Sequence, residues 1–209
     1  MIYFFLLIII IMTGCSKPLF KTSWTTEKAP DVFNARFETS KGNFDVQVTR
    51  ELSPYAADRF YQLVKHSYFD NALFYRVVPN FVAQFGSSDT VKISHWSKSR
   101  IPDEPVIGGN KRGTISFARS TKETRSGEMY INLRDNFRLD TIYYGGVRGF
   151  PIIGHVSAGM EVVDSLYSGY SGSTMEKLDE MYSNRTGFLE KFPKLDTIKK
   201  AFLVKIKKK

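Results

Sequence analysis

The chain has 209 residues, room for one full-sized domain and short additions. Its formal charge of +9 favours acidic surfaces, yet the only dense basic run is the terminal "KIKKK". That run has no interleaved aromatics, which counts against nucleic acid and leaves a solvated basic face as the simpler reading. A single cysteine, Cys15, excludes an internal disulfide, a cysteine zinc cluster and a thiol redox pair. His66, His95 and His155 lack metal-ligand spacing, so no metal is expected. Seventeen Phe and 11 Tyr can line a core or a groove.

The first segment, "MIYFFLLIIIIMTGC", carries no charged side chain. It is short of the roughly 20 residues a membrane-spanning helix needs and has the length of a signal-peptide core. Its end, "MTGC", resembles the bacterial lipobox, which implies lipidation of Cys15 as the first residue of the mature protein. Met12 stands where leucine is usual, and no Lys or Arg precedes the apolar run. A plain signal peptide or short anchor is the competing reading; that Cys15 is the sole cysteine favours lipidation. Two or more acyl chains suffice for stable anchoring. The expectation is a lipid-anchored, extracytoplasmic protein of a bacterial cell envelope, on the periplasmic face. Residues 16–31 are largely polar without periodicity and read as a tether.

From Val32, "FNARFETSKGNFDVQVTR" alternates with period two on both sides of "SKGN", a hairpin signal. Phe33, Ala35 and Phe37 share one face, and so do Phe44, Val46 and Val48. "SPYAADRFYQLVKHSYF" reads as a helix with Ser53 as N-cap and Pro54 at the first position. Ala57, Phe60, Tyr61 and Val64 form its apolar face. Short strand-like runs follow at "ALFYRVV", "FVAQF", "GTISFAR", "EMYINL" and "FPIIGHV". "SAGMEVVDSLYS" is a second short helix, residues 173–200 a helical and loop-like extension, and "AFLVKIK" a closing strand. Many short strands with two helices in the core region suggest an all-β closed antiparallel barrel. Periodicity alone does not separate it from a sandwich.

One arginine, Arg76, stands inside the apolar run "FYRVVPNFVAQFG". A buried arginine is costly unless paired, so taken alone it reads as an exposed strand residue. The longer segment "YFDNALFYRVVPNFVAQFG" is similar to the signature of cyclophilin-type peptidyl-prolyl isomerases. In that family a Phe-His-Arg strand leads to Phe-Met-x-Gln-Gly-Gly; here it stands as Phe74-Tyr75-Arg76 and Phe81-Val82-Ala83-Gln84-Phe85-Gly86. "FETSKGNFDVQV", "GTISFARS", "SGEMYINL" and "FPIIGHVSAGMEVVDSL" resemble further family segments in the same order, covering about 32–207.

The resemblance implies an eight-stranded antiparallel barrel capped by two helices, with a substrate groove on its outside and no cofactor. It implies isomerisation of X-Pro bonds in unfolded or folding polypeptides by a monomer. Carried over residue by residue, Arg76 is the catalytic position. Phe81, Val82, Tyr130 and Phe150 stand at pocket positions, Gln84 beside the arginine, and Ala118 and Arg119 where the peptide backbone is received. Glu128 stands where glutamine is usual, Tyr130 for phenylalanine, Phe150 for histidine and Arg119 for asparagine. The family's tryptophan near the loop that stands here as "DTIYYGGVRG" is absent. Glu128 either occupies the Arg76 guanidinium or merely orients it. Plain core packing competes with the pocket role, above all for Phe150. The alternative function is a weak or inactive cyclophilin-like module that binds peptides as a chaperone or scaffold.

Overall fold

The computed structural model describes residues 20–205, so Cys15, the leader and the last four residues lie outside it. The first hairpin forms as its alternation dictates. Strands β1 (Val32–Thr39) and β2 (Gly42–Thr49) pair antiparallel, with every second side chain buried. Phe33, Ala35, Phe37, Phe44, Val46 and Val48 all point into the core.

Helix α1 (Pro54–Lys65) starts on Pro54, whose missing N–H costs nothing at a first helical position. Ala57, Phe60 and Val64 are buried beneath it. The cap differs from expectation. Ser53 makes no side-chain capping bond; its hydroxyl donates instead to Glu104 Oε2 at 2.5 Å. The Glu104 carboxylate caps the helix from a distant loop, accepting from the backbone N–H groups of Tyr55 (2.7 Å) and Ala56 (3.1 Å). Arg125 Nη2 neutralises it at 3.0 Å. A carboxylate at the positive end of a helix satisfies two orphan donors and gains from the dipole, which a serine hydroxyl cannot match.

The remaining strands are β3 (Ala72–Val77), β4 (Val82–Gly86), β5 (Thr114–Phe117), β6 (Met129–Asn132), β7 (Tyr143–Tyr144), β8 (Val147–Arg148), β9 (Ile152–Ala158) and β10 (Thr197–Val204). Eight of them close an antiparallel barrel in the order β1-β10-β3-β4-β6-β5-β9-β2. Closure leaves no free sheet edge. Phe37, Phe44, Phe74, Phe85 and Phe117 fill the interior, all fully buried. Strands β7 and β8 form a separate ribbon. Its turn is Gly145-Gly146, both at positive φ (58° and 81°), the geometry a two-residue hairpin needs. "GGVRG" is therefore a turn and its flank.

Helix α4 (Met160–Asp164) supplies Val163 to the core, as the second expected helix. Two others lack a clear apolar period in the sequence: α2 (Thr90–Ser97), capped by the Asp89 carboxylate, and the single turn α3 (Arg138–Thr141). The segment read as a tether is packed from Phe20 onward. A 3-10 turn at Thr22–Thr26 lays Phe20 and Trp24 against the core, and Gln62 Nε2 donates to the carbonyls of Thr25 and Glu27. Contact of the two aromatics with the core and the bonds from Gln62, together with the Ala29 N–H donating to Asp58 Oδ1 at 2.9 Å, offset the entropy of ordering the segment.

The C-terminal extension is helical as expected: a 3-10 turn (Ser173–Lys177), α5 (Leu178–Ser183) and α6 (Arg185–Lys191). It covers the outer face of β3. Met181 and Phe188 pack on Leu73 and Tyr75 as a second apolar cluster, and the Thr174 hydroxyl donates to the Tyr75 carbonyl. Strand β3 is buried on both faces, so its sequence reads as a nearly continuous apolar run.

Candidate active site

A groove of about 1180 Å³ lies on the outside of the barrel over β3, β4 and β6. All nine candidate residues of the domain line it: Arg76, Phe81, Val82, Gln84, Ala118, Arg119, Glu128, Tyr130 and Phe150. They come from four separate stretches of sequence.

A β-bulge brings Arg76 to this groove. Leu73 pairs with Gly86 and Arg76 with Gln84, so β3 runs three residues against two on β4. Phe74 faces the barrel interior and Tyr75 the extension. The extra residue keeps Arg76 on the outer face beside Tyr75, where strict alternation would have turned it inward. Gln84 in turn pairs with Tyr130 on β6. Arg76, Gln84 and Tyr130 thus form one row across three strands.

Within that row, Arg76 Nη1 donates to Gln84 Oε1 at 3.2 Å, and Gln84 Nε2 donates to the Tyr75 hydroxyl at 2.6 Å. Tyr75 therefore fixes the amide so that its oxygen faces the guanidinium. The guanidinium carbon lies 5.5 Å from the centroid of the Phe81 ring. Arg76 is half-buried, and forms no ion pair among the described residues.

Glu128 does not occupy it. The Glu128 side chain turns over Gly86: a Cβ there would lie 2.0 Å from its Oε2, so any larger residue would force the carboxyl to move. The residue as a whole is half-buried, but Oε2 is sealed from solvent and has no hydrogen-bond partner. Burial pushes its pKa up to about 7, with the nearby Tyr75 hydroxyl acting in the opposite sense.

The walls are tied by amides that the sequence did not single out. The Tyr130 hydroxyl donates to Asn110 Oδ1 at 2.9 Å, which answers where that extra polar atom goes. Asn110 Nδ2 donates to Asp140 Oδ1 (2.7 Å) and to the Phe150 carbonyl (2.9 Å). Asn132 Nδ2 also donates to Asn110 Oδ1 (3.0 Å), and Asn136 Nδ2 reaches both Asn132 Oδ1 (2.7 Å) and the Phe81 carbonyl (2.9 Å). Burial raises the Tyr130 pKa, so its hydroxyl stays a donor. One satisfied network holds Tyr130, Phe150 and Phe81 in register.

Phe150 is a groove wall and not core. It packs edge-on against Tyr130 at 6.2 Å and half-buried beside Tyr144. Its face is covered by Arg119, whose guanidinium stacks 4.1 Å above the ring and donates to the Val147 carbonyl at 2.9 Å. Sequence reasoning missed further lining residues: Leu139 and Arg138 from α3, Arg134 after β6, and Met175, Leu178 and Tyr182 from the extension. Among the described residues no group of three or more His, Cys, Asp or Glu is gathered as a metal site.

The family model for cyclophilin type peptidyl-prolyl cis-trans isomerases matches residues 34–185, which carry seven of the eight barrel strands and the groove. The chain belongs to the cyclophilin-type peptidyl-prolyl isomerases. A peptidyl-prolyl cis-trans isomerase of Acinetobacter baylyi is 30% identical over 131 residues, 62% of this chain and 69% of that protein. Peptidyl-prolyl cis-trans isomerase A of Dickeya dadantii is 32% identical over 132 residues, 61% of this chain and 67% of that one. Among solved structures, a Cryptosporidium parvum cyclophilin type isomerase superposes with a TM-score of 0.61 at 17% identity, covering 84% of this chain and 99% of that one. This cyclophilin is thus an enzyme of the prolyl isomerase class, with proline-containing peptides as substrates.

Proposed function

We propose that this cyclophilin accelerates X-Pro isomerisation at the Arg76 groove, on proteins folding outside the cytoplasm. An X-Pro amide turns slowly because its resonance must be broken, at a barrier of about 18–20 kcal/mol. No covalent bond breaks, so no nucleophile or acid-base pair is needed. In the twisted state the prolyl nitrogen regains its lone pair. A fixed donor aimed at that nitrogen binds the twisted state better than either planar isomer, which is the condition for catalysis.

One observation carries the reading. Arg76 sits in the groove with its fork steered by Gln84 and free of any carboxylate among the described residues. In this role Phe81, Val82, Tyr130 and Phe150 grip the proline ring, while Gln84, Ala118 and Arg119 receive the peptide backbone. A charge-assisted hydrogen bond contributes about 1.5–3 kcal/mol, so Arg76→Ala should cost roughly 10- to 100-fold in kcat/KM. A proline-peptide isomerisation assay on both proteins checks it; equal rates would remove Arg76 from the mechanism.

A second reading, a weakly active peptide-binding module, is favoured by one feature. The Arg119 guanidinium lies against Phe150, on the face a proline ring would otherwise use. That reading expects peptide binding without acceleration, unaffected by Arg76→Ala.

The site of action is inferred from the leader. Lipidated Cys15 would hold the domain at an envelope membrane, where prolyl isomerisation limits the folding of secreted chains. No helix among the described residues is long and apolar enough to cross a membrane. Metabolic labelling with a fatty-acid probe should mark the full chain and not Cys15→Ala; equal labelling of both would exclude this anchor.

A further inference from the structure

The groove has a pronounced charge imbalance. Four arginines line it, Arg76, Arg119, Arg134 and Arg138, and Glu128 is the only carboxylate among the lining residues. They arrive from four different places: β3, the end of β5, the end of β6 and the start of α3. Basic residues outnumber acidic ones only 30 to 21 in the whole chain, so the groove is far more one-sided than the composition.

None of the four forms an ion pair among the described residues. Arg134 and Arg138 are exposed at the rim. Arg119 is 7% exposed, and its Nε and Nη1 are buried donors with no partner. Glu128 offsets little of this charge, because its carboxyl is held near half-protonation at neutral pH and turned over Gly86. Unpaired guanidinium groups along a partly desolvated groove make a positive field, and their planar forks match a carboxylate.

We propose that this groove selects X-Pro segments that carry an aspartate or glutamate close to the proline. The acidic side chain would reach Arg134 and Arg138, the two exposed at the rim, while the buried Arg119 adds to the positive field. The proposal rests on the isomerase reading of the same groove. Its contribution is chiefly to encounter and discrimination, since complementary charge speeds association and like charge repels.

The test is a set of proline peptides with Glu, Gln or Lys at each residue flanking the X-Pro bond, assayed for isomerisation with the full-length chain. At low ionic strength kcat/KM should be about fivefold to tenfold higher for Glu than for Lys at one or more positions, with Gln between. The ratio should fall toward one in about 1 M salt, where the Debye length is near 3 Å. The paired change Arg134→Glu and Arg138→Glu should reverse the preference. Equal rates for Glu and Lys peptides at low salt, or a Lys preference, would overturn the proposal while leaving the isomerase reading intact. If no peptide is isomerised, that reading fails instead. The same peptides, dye-labelled, then test the charge preference by anisotropy, with the same ratios expected and equal affinities overturning it. The salt dependence of the unmodified protein decides the matter even if the paired variant is unstable.

Discussion

Replacing Glu128 by Gln should change how stability depends on pH. The Glu128 carboxyl titrates near 4.5 when unperturbed and at about 7 in the folded protein, because its Oε2 is sealed against Gly86 without a partner. Between those values the folded state binds more protons than the unfolded state, so stability falls as pH rises. The contribution is fully present below about pH 4.5 and lost by the time pH passes 7. The gap corresponds to about 3 kcal/mol at most. Glu128→Gln removes this titration. Urea denaturation midpoints measured at pH 5, 6, 7 and 8 should show the unmodified protein losing about 2–3 kcal/mol relative to the variant across that range. Other titrating groups are common to both proteins and cancel in the difference. Parallel pH profiles for the two would refute the buried-carboxyl argument.

The other predictions test the scaffold of the groove. Gly86→Ala places a Cβ against the Glu128 carboxyl and should cost about 1–3 kcal/mol; combining it with Glu128→Ala should recover most of that loss, and additive denaturation energies would contradict the contact. Asn110→Ala leaves the Tyr130 hydroxyl without its acceptor and the Asn132 amide with only its Thr114 partners, and should cost about 2 kcal/mol in chemical denaturation. Tyr130→Phe leaves Asn110 Oδ1 still bonded to Asn132 and should cost only about 1 kcal/mol. Met181→Ala opens a cavity under the extension beside Leu73 and Tyr75; a loss of about 2–5 kcal/mol should appear as a Tm decrease of roughly 2–4 °C per kcal/mol. An unchanged Tm would mean the extension does not support β3.

The sequence by itself determined the elements whose signals are local. Period two in "FNARFETSKGNFDVQV" specifies the first hairpin and its buried face, because a one-residue slip would expose every phenylalanine. Pro54 marks the start of α1 for a reason confined to one residue. Motif order carried the family, and with it nine of the residues that line the groove.

Tertiary structure alone decided the contacts between segments distant in sequence. The bulge that keeps Arg76 on the outer face appears only when β3 is paired with β4. Glu128 lies over Gly86, and away from ion pairing with Arg76, because the β4–β6 register brings that glycine under it. Glu104 caps α1 and Asn110 binds the Tyr130 hydroxyl across long chain separations, where no spacing rule links donor to acceptor. The continuous burial of β3 comes from the extension laid over it. A residue type and its period state which face a side chain prefers; which charge is paired, which polar atom is satisfied and which carboxyl is dry depend on what the rest of the chain packs against it.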